Sequence, residues 1–143
     1  MLSDPVILHA EDDANDAILF RTAVQKAGIS LLLAHVCDGE DAINYLRGDG
    51  IYSDRVLYPF PCVLVTDLKM PKVTGFDVLA WIQTQLQRAT LPAIVLSGSS
   101  QEVDKKRAFE LGAQAYWVKP NALHDLVQLA RELQDLAGPI HSH

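Results

Sequence analysis

Four apolar, strand-like runs in the sequence each end in residues whose side chains can do chemistry. The runs are Val6 to Ala10, Cys62 to Thr66, Ala93 to Leu96 and Ala115 to Val118. The residues that follow them are, in the same order, Glu11-Asp12-Asp13, Asp67, Ser97 and Lys119. Carboxylates suit a hard divalent cation, and a hydroxyl and an ammonium can both bind phosphate oxygens. The pattern therefore indicates a site for a divalent cation and a phosphoryl group.

The carboxylates of such a site would repel one another at close range, which would raise the pKa of at least one of them. A cation such as Mg²⁺ relieves this repulsion, holds a phosphate oxygen and offsets charge during phosphoryl transfer. Asp67, at the end of its strand, can act as the nucleophile and form an aspartyl-phosphate. Individually, the acid run can also be read as a helix cap, Ser97 as part of a turn and Lys119 as part of a loop.

The elements that must position these residues alternate between strand and helix along the chain. A further strand is predicted at Leu31 to Val36. Helices are predicted at Ala14 to Ala27, from Asp38 or Gly39 to Leu46, at Gly75 to Leu86, at Gln101 to Leu111 and at Ala122 to Leu136. Arg47 to Pro61, with two glycines and two prolines, is predicted to be irregular. We expect the first helix to bury the stripe formed by Ile18, Leu19, Thr22, Ala23 and Lys26.

Strands that are apolar throughout are buried on both faces of a parallel sheet. The pattern thus predicts an α/β fold, a doubly wound (βα)5 sheet of flavodoxin-like type, with right-handed crossovers. With the strand order 2-1-3-4-5, the four strands that end in reactive residues are neighbours and the second strand is an edge. Ligands bind beyond the carboxyl ends of such strands, which is where the reactive residues lie.

Composition narrows the classes of function. Twelve basic and eighteen acidic residues give a net charge of -6, which argues against a nucleic-acid surface. There is no apolar run of the roughly 20 residues that a membrane span needs, and no signal-peptide pattern at the start, so we expect a cytoplasmic protein. Cys37 and Cys62 lie in or beside apolar strands and are expected to be structural, and His9 and His35 are expected to be packed and not to bind a metal.

The ordered motifs resemble the receiver domain of two-component response regulators. The resemblance covers nearly the whole chain. It depends on residues 10–13, on the Asp67-Leu68-Lys69-Met70-Pro71 run with Gly75 following, on Leu96-Ser97-Gly98, and on residues 112–120 with the final Lys119-Pro120 pair. It implies a single receiver domain over residues 1–143, with a core of about 5–137 and no output domain.

The resemblance also implies a role for each site residue. Asp67 would accept a phosphoryl group from the phosphohistidine of a sensor histidine kinase. Glu11, Asp12 and Asp67, with the backbone carbonyl of Lys69, would hold Mg²⁺. Lys119 would pair with a phosphoryl oxygen, Ser97 would be the switch hydroxyl, and Tyr116 would be the aromatic residue that moves with it. Receivers of this kind often hold the bond between Lys119 and Pro120 in the cis form, and we expect that here.

The long segment from Arg47 to Pro61 is similar to that of the small regulators that partner bacterial phytochromes. A kinase of the bacteriophytochrome type is therefore the candidate partner, and output would pass to an unidentified downstream protein. A homodimer through the fourth helix, fifth strand and fifth helix is also expected, because the fifth strand is an open sheet edge.

Three other functions stay open from the sequence. A magnesium-dependent phosphatase with an Asp nucleophile usually carries a second carboxylate two residues later, where this chain has Lys69. A receiver-shaped module that is never phosphorylated usually lacks one of the acids or the lysine, and this chain keeps them. A flavodoxin-like nucleotide binder is possible by fold, but the first strand is not followed by a glycine-rich phosphate loop.

Overall fold

The computed structural model describes residues 4–85 and 91–137. In these residues five parallel strands form one sheet in the order β2-β1-β3-β4-β5, as predicted. The strands are β1 Val6–Ala10, β2 Leu32–Val36, β3 Val63–Thr66, β4 Ala93–Ser97 and β5 Ala115–Val118. The helices are α1 Ala14–Ala27, α2 Gly39–Arg47, α3 Gly75–Gln85, α4 Glu102–Glu110 and α5 Leu123–Ala137, with a short 3-10 helix at Gly50–Ser53. The predicted end of the third helix, Leu86, lies outside the described residues.

Successive residues of the central strands point to opposite faces of the sheet, and each face has its own apolar core. Leu8 and Leu64 lie in the core that α2, α3 and α4 cover. Ile7 and Val63 lie in the core that α1 and α5 cover. Because both faces are covered, β1, β3 and β4 are buried along their whole length, which explains why their sequences are apolar without alternation.

The prediction for the buried face of α1 was right for Ala23 and wrong for Ile18 and Leu19. Ile18 and Leu19 are 61% and 47% exposed, and the buried residues of this helix are Phe20, Ala23 and Val24. Both sets have helical spacing, so periodicity could not choose between them. Packing against α5 and the sheet selects the face that carries Phe20.

The segment between α2 and β3 is more ordered than its composition indicated. The guanidinium of Arg55 donates hydrogen bonds to the carbonyls of Tyr45 and Leu46 at the end of α2, at 2.8 and 3.0 Å, and to that of Tyr58 at 3.1 Å. The rings of Tyr45, Tyr52 and Tyr58 pack against one another with centroids 4.8 to 6.1 Å apart. Through these rings the segment joins the apolar core that α2 and α3 form with the sheet.

The two cysteines are free thiols, as expected, but Cys37 is exposed and Cys62 is buried. His9 is packed, as expected: it is 1% exposed and lies 4.2 Å from the ring of Phe20. None of the helices within the described ranges has the length and hydropathy needed to cross a bilayer.

Candidate functional site

The ends of β1 and β3 bring two acidic residues side by side. Ala10 pairs with Thr66 in the register of these strands, so the next residues, Glu11 and Asp67, are neighbours. The ladder continues one step further, because the Asp67 amide donates to the carbonyl of Ala10 at 3.0 Å. Asp12 follows Glu11, and one carboxylate oxygen from each of Glu11, Asp12 and Asp67 lies within 4.8 Å of the others. The predicted acidic cluster is therefore present.

The ends of β4 and β5 supply the hydroxyl and the ammonium. Ser97 pairs with Val118, and the amide of the next residue, Lys119, donates to the carbonyl of Ser97 at 2.8 Å. Lys119 then reaches across the sheet edge, where its Nζ lies 3.0 Å from Oδ2 of Asp67 and 2.9 Å from Oε1 of Glu11. A cleft of about 560 Å³ contains these side chains together with Ser97 and the exposed residue Lys69.

The lysine occupies this position with its preceding peptide in the ordinary form. No cis peptide bond occurs among the described residues, and the bond between Lys119 and Pro120 is trans. The expectation of a cis bond was therefore wrong. The trans form is the lower-energy state of an X-Pro bond, and the hydrogen bond from Lys119 to Ser97 already directs the chain into the cleft.

The carboxylate of Asp67 is held at both oxygens. Oδ1 accepts a hydrogen bond from the amide of Leu68 at 2.7 Å, with the amide of Lys69 at 3.5 Å, and Oδ2 accepts from Lys119. The Asp67 side chain is 9% exposed. The Asp67 carboxylate is therefore oriented by fixed donors and also lines the cleft.

Glu11 is the most deeply buried acid of the cluster, with a side chain 1% exposed. Burial, together with the nearby charge of Asp67, raises its pKa to about 7 even though Lys119 opposes the shift. Oε1 of Glu11 is close to the ammonium but lies outside hydrogen-bonding geometry, and it has no hydrogen-bond partner among the described residues. A buried carboxylate oxygen that accepts no hydrogen bond, beside two further carboxylate oxygens, is suited to a hard cation.

Lys119 is held by more acids than the sequence predicted. Burial disfavours its charge, but hydrogen bonds to Asp16 and Asp67 and the ion pair with Glu11 outweigh that effect and raise its pKa above the usual range. Asp16 was not among the predicted site residues. Its position in the first turn of the helix that follows the acid run is a signal that could have identified it.

The predicted switch residues, Ser97 and Tyr116, are linked through Ser99, which was not among the predicted site residues. Ser97 is 1% exposed, and its Oγ accepts a hydrogen bond from the amide of Ser99 at 3.2 Å. The hydroxyl of Tyr116 donates to the carbonyl of Ser99 at 2.8 Å, and the Ser99 hydroxyl donates to Asp104 in α4 at 2.6 Å. Ser99 thus connects Ser97, Tyr116 and α4.

Glycine is required where the loop after Asp67 turns into α3. The amide of Gly75 donates to the carbonyl of Leu68 at 3.0 Å, and a Cβ on Gly75 would lie 2.0 Å from the carbonyl oxygen of Asp67. The start of α3 is therefore packed directly on the backbone of the site.

Comparisons with known proteins agree with this geometry. The family model described as "Response regulator receiver domain" matches residues 7–131. The crystal structure of RPA3017, a response regulator in red light signalling of R. palustris, is 32% identical with a TM-score of 0.85, and the match covers 92% of each chain. The phosphorylated cyanobacterial phytochrome response regulator RcpA is 27% identical with a TM-score of 0.84, over 98% of each chain.

Rcp1 of Synechocystis, another response regulator, is 30% identical over 129 residues, which are 90% of this chain and 86% of Rcp1. Its Mn²⁺-bound structure gives a TM-score of 0.79 over 92% of each chain. The strand order, the acids and lysine at the strand ends, and a family match over most of the chain agree on one assignment. The chain belongs to the response regulator receiver domain family, and its structural neighbours include phytochrome response regulators.

Proposed function

We propose that this chain is a phosphoacceptor switch in which Asp67 takes a phosphoryl group from a phosphohistidine of a sensor histidine kinase. In the transfer, a bond forms between phosphorus and an oxygen of Asp67 as the bond between phosphorus and the histidine nitrogen breaks. The observation that carries this proposal is the contact between Asp67 and Lys119 at 3.0 Å beside the carboxylates of Glu11 and Asp12. The lysine supplies the positive charge that the phosphoryl oxygens need as the group arrives.

Glu11, Asp12 and Asp67 would hold Mg²⁺, with the backbone carbonyl of Lys69 as a further ligand. The Glu11 oxygen that accepts no hydrogen bond and the separation of the three carboxylate oxygens support this assignment, as does the Mn²⁺-bound form of the similar protein Rcp1. When bound, the cation would neutralise charge on the phosphoryl group. The same residues would assist the later hydrolysis of the aspartyl-phosphate, so that the domain promotes its own phosphorylation and dephosphorylation.

The signal would pass from Asp67 to the surface through Ser97 and Tyr116. The Ser97 hydroxyl would move to bind the phosphoryl group and so give up its bond to the Ser99 amide. Because Tyr116 and Asp104 are both bonded to Ser99, that movement would change the position of Tyr116 and of the first turn of α4. The response would therefore reach the surface formed by α4, β5 and α5.

Residues 7–131, which match the receiver domain model, would act as the phosphorylated domain. The similarity to a regulator of red light signalling and to a phytochrome response regulator favours a bacteriophytochrome-type kinase as the donor. An unidentified downstream protein would receive the signal.

Intact mass measurement after incubation with acetyl phosphate and Mg²⁺ tests the proposal most directly. The wild-type chain should gain the mass of one phosphoryl group, and Asp67→Asn should gain none. Asp49→Asn removes the same charge from an exposed ion pair with Arg47 and should be labelled like the wild type. An unlabelled wild type would favour a receiver that is never phosphorylated, and labelling of Asp67→Asn would reject Asp67 as the acceptor.

The surface formed by α4, β5 and α5 is the proposed site of a homodimer. Three of its apolar residues are well exposed: Val103 at 68%, Phe109 at 49% and Val118 at 39%. Tyr116 and Trp117 are instead partly buried. Three basic residues of α4, Lys105, Lys106 and Arg107, could pair with acidic residues on α5 of a second copy. The Arg107 guanidinium already lies 4.2 Å from the centroid of the Phe76 ring.

Lys105 lies 3.8 Å from Glu102 within the chain, which makes exposed Lys106 the more available partner for Asp125 or Glu132 of a second copy. Sedimentation over a concentration series, with and without beryllofluoride as a phosphoryl mimic, should show a dimer that Lys106→Glu weakens. Lys26→Glu on α1, also at an exposed residue, is the matched control. A monomer at every concentration in both states would contradict the homodimer.

A further inference from the structure

A fourth acidic residue, Asp16, holds the lysine of the site. Oδ2 of Asp16 lies 2.8 Å from Nζ of Lys119 in hydrogen-bonding geometry, a contact at least as short as the 3.0 Å bond to Asp67. The Asp16 side chain is 37% exposed, whereas those of Asp67 and Glu11 are 9% and 1% exposed. Asp16 therefore contacts the ammonium from the solvent-exposed side of the cleft, whereas Asp67 and Glu11 contact it from the buried side.

We propose that Asp16 is a positioning residue that fixes the Lys119 ammonium over Asp67 before and after phosphorylation. This inference is built on the proposed phosphoacceptor function. Asp16 would contact neither the cation nor the reacting atoms, and it would act through Lys119 alone.

The structure holds Asp16 where this role requires it. Asp16 lies in the first turn of α1, and its amide donates to Oδ1 of Asp13 at 3.0 Å, which caps the helix. A carboxylate in the first turn is also favoured by the helix dipole. The buried residues Phe20 and Val24 anchor the helix in the core. The carboxylate that contacts Lys119 therefore belongs to a packed helix.

The other two contacts of the ammonium are with Asp67, which the reaction would modify, and with Glu11, which would bind the cation. Asp67 becomes an acyl phosphate, and its bond to Lys119 must then pass to a phosphoryl oxygen. The oxygen of Glu11 near Lys119 belongs to the cluster that would hold the cation. The bond to Asp16 involves neither group and can persist through the reaction. Since a free lysine side chain loses much rotamer freedom when it is fixed, a permanent partner lowers the entropic cost of holding the phosphoryl group.

The test compares Asp16→Asn with Asp38→Asn. Asparagine at residue 16 keeps the size of the side chain but removes its charge. Asp38→Asn removes the same charge at the start of α2, where Asp38 accepts a hydrogen bond from the amide of Asp41 outside the cleft, and asparagine keeps a good helix cap there. Thermal unfolding of both variants verifies that the fold is intact before the comparison is made.

Two readouts are needed. The first is the rate of phosphorylation by acetyl phosphate with Mg²⁺, which we expect to fall about tenfold in Asp16→Asn, the size of one charge-assisted hydrogen bond, and to stay within about twofold in Asp38→Asn. The second is the ammonium signal of Lys119 in ¹⁵N nuclear magnetic resonance, assigned by its loss in Lys119→Arg. Hydrogen exchange at this ammonium should be slow in the wild type, fast in Asp16→Asn and partly restored in Asp16→Glu.

A slower reaction together with faster ammonium exchange, confined to the Asp16 variants, supports the proposal. An unchanged rate overturns it. So does a faster reaction, because Asp16 would then be competing with the phosphoryl group for Lys119. If the wild type is not phosphorylated, the proposed function fails. The ammonium exchange still shows whether Asp16 fixes Lys119, and unchanged exchange in Asp16→Asn would then overturn the positioning role as well.

Discussion

Replacing Gly75 by alanine should displace the backbone of Asp67, the proposed phosphoacceptor. The added Cβ would lie 2.0 Å from the carbonyl oxygen of Asp67 and 2.9 Å from both the carbonyl carbon of Asp67 and Cα of Leu68. All three atoms belong to the main chain, so rotation of a side chain cannot relieve the overlap. Contacts under 3.0 Å must open by movement of α3 or of the loop that carries Asp67.

The expected cost can be compared with known effects of overpacking. Extra methyl groups in packed sites destabilise by about 1–3 kcal/mol, and a backbone overlap of this size belongs near the upper end of that range. The reduced freedom of the unfolded chain returns roughly 0.4–1 kcal/mol. We therefore expect Gly75→Ala to lower the free energy of unfolding by about 2 kcal/mol, which corresponds to a fall in Tm of roughly 4–8 °C for a chain of this length.

The effect on phosphorylation should be larger than the loss of stability alone implies. Misplacement of a reacting group by about 1 Å can cost up to roughly 100-fold in rate, so labelling of Gly75→Ala by acetyl phosphate should be at least about tenfold slower. Gly98→Ala is the matched control. It lies next to Ser97, and its Cβ would meet nothing within 4 Å among the described residues. Wild-type stability and rate in Gly75→Ala, or equal losses in both variants, would refute the reasoning.

Three further predictions concern the metal, the buried histidine and the segment before β3. Asp12→Ala should weaken Mg²⁺ binding at least about tenfold in a titration followed by the fluorescence of Trp117, and unchanged affinity would exclude Asp12 as a ligand. Burial, and to a smaller extent the charge of His35, lowers the pKa of His9 from 6.5 to about 3. Between these two pH values the unfolded chain therefore binds a proton at His9 that the folded chain does not bind. The contribution of His9 to the free energy of unfolding is then complete above pH 6.5 and is lost as the pH falls towards 3. His9→Leu should therefore reduce the fall in stability on acidification by up to about 1.4 kcal/mol per pH unit, measured by urea unfolding in chelator; equal pH profiles would contradict this. Arg55→Met removes three hydrogen bonds to main-chain carbonyls and should lower the free energy of unfolding by roughly 1–3 kcal/mol, whereas an unchanged urea midpoint would show that the segment needs no such anchor.

The sequence was sufficient to predict the alternation of strands and helices, the order of the sheet and the residues at its reactive edge. These predictions succeed because buried parallel strands are apolar throughout, and because parallel strands bring their carboxyl ends to one side. Once Val63–Thr66 was placed beside Val6–Ala10, Asp67 had to lie close to Glu11. Chain direction and hydrophobicity, which can be read directly from the residues, therefore determine the acidic cluster.

Other features depend on contacts between segments that are distant in the chain. Local periodicity could not choose the buried face of α1, because Ile18 and Phe20 both belong to apolar stripes, and packing against α5 made the choice. The segment before β3 is ordered because Arg55 donates hydrogen bonds to carbonyls at the end of α2. Nothing in the sequence around this arginine indicates which carbonyls it contacts.

The environment of Lys119 also combines features that the sequence determines with one that only the tertiary structure decides. The sequence by itself determined that a lysine follows β5 and that acids follow β1 and β3. The tertiary structure decided that Asp16, 103 residues away along the chain, completes the set of partners around the ammonium. The physical reason is that a long lysine side chain can reach several elements, and its position is set by whichever acids the packed helices and strands bring within hydrogen-bonding distance.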